Sequence, residues 1–204
     1  MRRRTDRGML MIASWAIAVQ MGGSIAWGAE ADEPFAASSD LFELAVPGGW
    51  IAEEHADGGG VRIATSSGEA AVEITFIPRS VLHSGGLKMG APAGAGPAAV
   101  AGSMAILVPP AEGVEASEPV LLELANATEA VEIAASGPEL EGALYILEPS
   151  PGVAAIVSAT APAGGFADVR DATLGILATL VFSGDEAALI ELLQPPPFVD
   201  ISLG

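Results

Sequence analysis

Glu53, His55 and Asp57 alternate along the segment Glu53-Glu54-His55-Ala56-Asp57. Alternate side chains of a β-strand share a face, so this spacing would set two carboxylates and an imidazole side by side. Such a donor set suits a divalent cation. The same residue types also make an ordinary polar strand edge beside a turn. The second histidine, His83, follows Ser80 by three residues. That pair lacks the orienting carboxylate and the G-x-S-x-G elbow of a serine hydrolase. Gly94-Ala95-Gly96 runs into Pro97, which fits neither a phosphate loop nor a dinucleotide fingerprint. With no cysteine, thiolate metal sites, catalytic thiols and disulfides are excluded. The residues therefore assign no catalytic, cofactor-binding or metal-binding position and imply no cofactor. The expectation is a chain that is not an enzyme. The alternative is a metal-binding protein or metal-dependent enzyme using Glu53, His55 and Asp57.

Charge narrows the partners. The 204 residues carry 26 acidic and 8 basic side chains, a formal charge of −18. Four of the arginines, Arg2, Arg3, Arg4 and Arg7, crowd the first seven positions, leaving Arg62, Arg79, Lys88 and Arg170. No basic patch remains to displace counterions from nucleic acid or to dock on anionic lipid. The excess acid reads as a solvated, self-repelling surface, because no Asp-rich loop has calcium spacing.

The basic start is followed by an uncharged apolar run, Gly8–Val19, then by Gln20 and Gly22-Gly23-Ser24. That is the three-part layout of a secretory signal. Small residues at −3 and −1 favour cleavage after Ala26 or Gly28; an uncleaved anchor is the competing reading. Removing residues 1–28 takes away Asp6 and four arginines, which lowers the formal charge to −21. The protein is expected to be periplasmic or secreted, with no transmembrane segment in the mature chain and, if it has a partner, a protein.

Residues 29–40 read as a flexible leader. Period-two alternation then marks half-buried strands at Leu41–Val46, Trp50–Glu54, Val61–Ser66 and Ala71–Ile77, an antiparallel meander. Pro47-Gly48-Gly49, Asp57-Gly58-Gly59-Gly60 and Ser67-Gly68-Glu69 turn the chain. Glycine and proline crowd 78–102, which reads as a long loop. Pro97–Leu107 has helical spacing through Val100, although Met104–Val108 could instead be a strand. Strands resume at Pro119–Ala125 through Val120, Leu122 and Leu124, and at Glu129–Ala135 through Val131 and Ile133. Leu140–Glu148 and Gly152–Thr160 are apolar on both faces, as central strands are. Gly164-Gly165 opens a helix with Phe166, Val169, Thr173, Ile176, Leu177 and Leu180 on one stripe and Asp168, Arg170 and Asp171 opposite. Asp185–Leu193 is a second short helical pattern. Pro195-Pro196-Pro197 begins a tail that is either a polyproline ligand or a stiff arm packed on the protein.

Phe42-Glu43-Leu44-Ala45-Val46-Pro47-Gly48-Gly49-Trp50 resembles the F-x-(I/L/V)-x-(V/L)-P-x-G-W opening of the PsbP-like family. That family includes the extrinsic photosystem II subunit, a Ran-binding transport factor and DcrB-like exported bacterial proteins. Ala154–Phe182 resembles its last strand and packing helix. The resemblance implies an α+β fold, an antiparallel sheet with packed helices in an α/β sandwich, and generally no catalysis. The glycine-rich stretch Gly85–Gly102 and the scarcity of lysine depart from the family, and no photosystem or Ran partner carries over. The residues give Trp50 a structural part of its own: Pro47 fixes the strand end and Trp50 folds back onto the core. The domain map is then 1–28 signal, 29–40 leader, 41–183 PsbP-like domain, and 184–204 short helix and Pro-rich tail.

With so few cations, most carboxylates must repel one another. Salt shortens that repulsion from about 8 Å at physiological strength to about 3 Å near 1 M. The melting temperature of the mature protein should rise as NaCl increases across that range. A melting temperature flat in salt would mean that the charges are already compensated.

Overall fold

A computed structural model describes residues 32–88, 90–107 and 113–194. The signal at 1–28 and the Pro-rich tail lie outside the described residues. The chain folds as α+β. Its main layer is an antiparallel sheet in the order β3-β4-β5-β10-β9-β8-β6, formed by Trp50–Glu54 (β3), Gly60–Thr65 (β4), Ala71–Pro78 (β5), Val153–Pro162 (β10), Leu140–Ser150 (β9), Ala130–Ser136 (β8) and Glu115–Ala116 (β6). Val120–Leu122 (β7) also pairs with β8. β9 and β10 sit in the middle, as their two-sided apolar pattern requires.

One face of this sheet is covered by helix α3 (Phe166–Thr179), by α4 (Glu186–Leu192) and by a small sheet in the order β1-β2-β11, formed by Glu33–Ala36 (β1), Phe42–Val46 (β2) and Val181–Phe182 (β11). The stripe read from the sequence is the one α3 buries: Phe166, Val169, Thr173, Ile176 and Leu177, with Leu180 just beyond. At the small sheet, Phe42 stacks at 4.7 Å on Phe76, which lies 4.9 Å from Phe182. The opposite face is covered by α1 (Arg79–Lys88) and α2 (Pro97–Leu107), where Leu82, Val100 and Ala101 meet Val131, Ile133, Ile146 and Ala154.

Several elements differ from the sequence reading. Phe42–Val46 (β2) does not join the meander. The turn at Pro47–Gly49, with Gly49 at φ 78°, swings it out to pair with Glu33–Ala36 (β1) and Val181–Phe182 (β11). β1 thus occupies part of the expected leader. The loop expected at 78–102 contains α1. Its two glycines argue against an isolated helix, but Gly86 is a packing contact: a Cβ there would stand 2.9 Å from Val100 Cγ2, so glycine lets α1 and α2 close together. Pro97–Leu107 is the helix rather than the strand. Only Val120–Leu122 of 119–125 is paired, and Val120 and Leu121 face solvent. Glu132, between Val131 and Ile133, is buried, because α3 covers its face of β8 while α2 covers the other.

Trp50 is 8 % exposed and belongs to the larger core. Replacing Trp50 by Ala should cost about 3–5 kcal/mol, the range for deleting a buried large aromatic. The urea midpoint measures it, and an unchanged midpoint would take Trp50 out of the core.

Candidate functional site

The trio of the alternative metal reading, Glu53, His55 and Asp57, does not assemble. β3 ends at Glu54, so His55 and Asp57 lie in the turn, where strand alternation has stopped. The Asp57 side chain is used within that turn, its Oδ1 accepting the Gly59 amide at 2.9 Å. His55 Nε2 instead lies 2.7 Å from Oε1 of Glu73 on β5. Its ring packs over Gly60, where a Cβ would meet His55 Nδ1 at 2.6 Å. Glu53 stands opposite Arg62, and Arg62 opposite Glu73, a cross-strand row of alternating charge. Among the described residues, no three His, Asp or Glu side chains converge on a point that could hold a metal ion. His83, on α1, accepts the Gly94 amide at 3.1 Å through Nε2. That atom ties the α1–α2 connection to α1 rather than serving Ser80.

The sequence reading missed the polar groups at the centre of the molecule. Glu132 on β8 receives a two-pronged contact from Arg170 on α3: Nε donates to Oε1 and Nη2 to Oε2, each at 2.7 Å. Tyr145 on β9 donates its hydroxyl to the same Oε1 at 3.2 Å. The guanidinium fork matches the carboxylate, which is why a bidentate pair is among the stronger protein hydrogen bonds. Arg170, read as solvent-facing, bends its head back to the sheet, and its own acidity is weakened by those bonds. Burial raises the Tyr145 pKa, and the charge of Glu132 and the bond to it raise it further. On the other face, Arg79 Nη1 donates to buried Glu148 Oε1 at 2.9 Å. One signal was available: a single glutamate inside the apolar run Ala130–Ala135 needs a cation, and four basic residues were left to supply it.

Carboxylates also hold the helix starts. Glu129 Oε1 accepts the Ala98 amide at 2.9 Å at the head of α2. Glu186 Oε1 accepts the Ser80 amide at 3.2 Å at the head of α1, and hydrogen bonding with the Ser80 side chain and then with this amide lowers its pKa. Both satisfy orphan amides and place negative charge at the positive end of a helix.

Among the described residues a hollow of about 340 Å³ lies between β1 and β3, lined by Glu33, Pro34, Phe35, Val46, Trp50, Ile51 and Ala52. Phe35, Val46, Trp50 and Ile51 stand among its lining residues, polar and apolar atoms share its surface, and two strand edges flank it. Among the described residues, no helix is long and apolar enough to cross a membrane.

No protein-family model matches the chain, and no curated protein matches it. The solved structures similar to it include the following three. Cyanobacterial PsbP (CyanoP) from Synechocystis sp. PCC 6803 is 12 % identical over 79 % of this chain and 98 % of its own, with a TM-score of 0.49. LpqN of Mycobacterium tuberculosis, described as involved in cell envelope biogenesis, is 14 % identical over 76 % of this chain and 87 % of its own, with a TM-score of 0.46. The Saccharomyces cerevisiae Ran-binding protein Mog1p is 7 % identical over 78 % of this chain and 98 % of its own, also at 0.46. The first bears the name of the family that Phe42–Trp50 resembles. Each is a likeness in the arrangement of elements, and no activity or partner follows from it.

The Tyr145 environment has a consequence at alkaline pH. An unfolded chain releases the phenol proton near the usual tyrosine value of about 10. The folded protein holds it to higher pH, so it binds more protons there and stability falls as pH rises. Denaturant midpoints should fall above about pH 10 more steeply than in Tyr145→Phe. Equal slopes would contradict the buried network.

Proposed function

We propose that the protein is exported and works as an accessory protein by binding, without turning over a substrate. The hollow between β1 and β3 carries this reading, because it offers apolar surface and two strand edges in one place. The buried ionisable groups support it: Glu132, Tyr145 and Glu148 each bond within the fold. The layout of residues 1–28 supports export, which places the working protein in the periplasm or outside the cell. The partner class is a protein, since the acidic chain repels nucleic acid and anionic lipid. The working unit comprises the domain at 41–183 with β1 ahead of it and α4 behind, where Leu189 is buried in the core.

Fractionation of a bacterial host expressing the full chain tests export. The expected product is extracytoplasmic, with a mass set by cleavage after Ala26 or Gly28; an uncleaved chain in the cytoplasm would refute export. Calorimetric titration of that product with zinc and manganese tests the rest. No site that depends on His55 is expected. Micromolar binding abolished by His55→Ala would return the metal reading.

A further inference from the structure

β3 is an edge strand, paired to β4 on one side alone. The His55 amide donates to the Gly60 carbonyl at 2.9 Å, so Glu53 and Ile51 also face β4. The Trp50 amide points the other way and donates to the Pro47 carbonyl at 3.0 Å. Ala52 and Glu54 share that phase, so their amides and carbonyls point out of the sheet with no strand beside them among the described residues. Such an edge is where a further strand can add.

The side chains say what that strand must carry. Trp50, Ala52 and Glu54 share one face of β3, where Trp50 is buried and Ala52 packs on the same core. Ile51 and Glu53 share the other, and Ile51 is 55 % exposed. In an added strand, the residues bonded to Ala52 and Glu54 would turn their side chains to the face of Trp50, at the hollow. The residues between them would lie on the face of Glu53. The rim of the hollow is acidic: Asp32 and Glu33 are exposed at the start of β1, and Glu53 is exposed on β3. The described cations are placed elsewhere or shared. Arg79 and Arg170 bond to Glu148 and Glu132, Lys88 ends α1, and Arg62 stands between Glu53 and Glu73. A basic strand therefore complements this edge, while like charge opposes a second copy of a chain whose formal charge is −18.

We infer that the free edge of β3 takes an extended segment of a partner protein in which apolar and basic residues alternate. The apolar set lies at the hollow and the basic set beside Glu53. This assignment rests on the binding role proposed above and gives the partner its chemistry.

The probe is a capped hexapeptide alternating lysine and valine, long enough to cover the five residues of β3. Titrated into the full exported chain and followed by NMR, it should slow exchange of the Ala52 and Glu54 amides roughly tenfold or more at saturation, the scale of one net hydrogen bond. A hexapeptide alternating glutamate and valine should bind roughly tenfold or more weakly, and added NaCl should narrow that gap. Methylating the backbone nitrogens of the valines removes the donors facing β3 but keeps the charge, and should abolish the protection. Ala52→Pro deletes an edge amide that no strand of the sheet uses, and should weaken binding; the methylated peptide decides the matter if that variant does not fold. Shifts confined to Phe35, Val46 and Ile51, with Ala52 and Glu54 exchanging as before, would overturn strand addition and leave the hollow as a binding surface. No change at either place would overturn both. Equal affinity for the glutamate peptide would overturn the basic partner. Slow exchange at Ala52 and Glu54 before any peptide is added would overturn the inference in favour of an occupant already in place, a second copy if the protection grows with protein concentration.

Discussion

Two arginines hold the layers of this protein together. Glu132 and Glu148 are buried carboxylates on neighbouring strands, and burying an unpaired carboxylate costs several kcal/mol. Arg170 answers the first from α3 and Arg79 the second from the head of α1. Because α3 and α1 lie on opposite faces of the sheet, each ion pair fixes one helical layer in register with the strands beneath it. The apolar contacts supply most of the attraction, but they are non-directional. The fork of Arg170 on Glu132 allows one placement of α3.

Scarcity of cations gives the rest of the structure its character. With Arg79 and Arg170 committed, Arg62 stands in the row between Glu53 and Glu73. The surplus carboxylates serve where amides need acceptors: Glu129 at α2, Glu186 at α1, and Asp185 at α4, where its side chain accepts the Ala188 amide. Asn126 does the converse at the other end of α3, donating to the carbonyls of Leu177 and Leu180. Polar groups so occupied maintain the fold. The proposed binding role rests on the hollow between β1 and β3 and the strand edges beside it.

Elements whose pattern is local were legible in the sequence. β3, β4 and β5 follow from alternation and glycine turns, and α3 from a stripe of six buried positions. Elements that depend on a distant partner were not. α1 carries Gly85 and Gly86 and has little propensity of its own; it forms because Gly86 admits Val100 and because Glu186 and Glu148 hold its first turn. β1 and β11 are short and acquire strand character only by pairing with β2. The candidate trio failed for a similar reason. Spacing places Glu53, His55 and Asp57 on one face only if the strand continues, and the turn beginning after Glu54 gives His55 to Glu73. The burial of Glu132 was not legible because alternation reports two faces and cannot show that both are covered.

The claim that a single ion pair registers α3 on the sheet is tested most directly by a double-mutant cycle on Glu132 and Arg170, followed by urea unfolding. Arg170→Met alone leaves a buried carboxylate uncompensated and should cost about 2–3 kcal/mol, below the 3–5 of a fully enclosed pair because the arginine side chain is 40 % exposed. Glu132→Met combined with Arg170→Met removes the charge as well and should recover most of that loss. A coupling of about 1.5 kcal/mol or more would support the account, and additive losses from the two substitutions would contradict it.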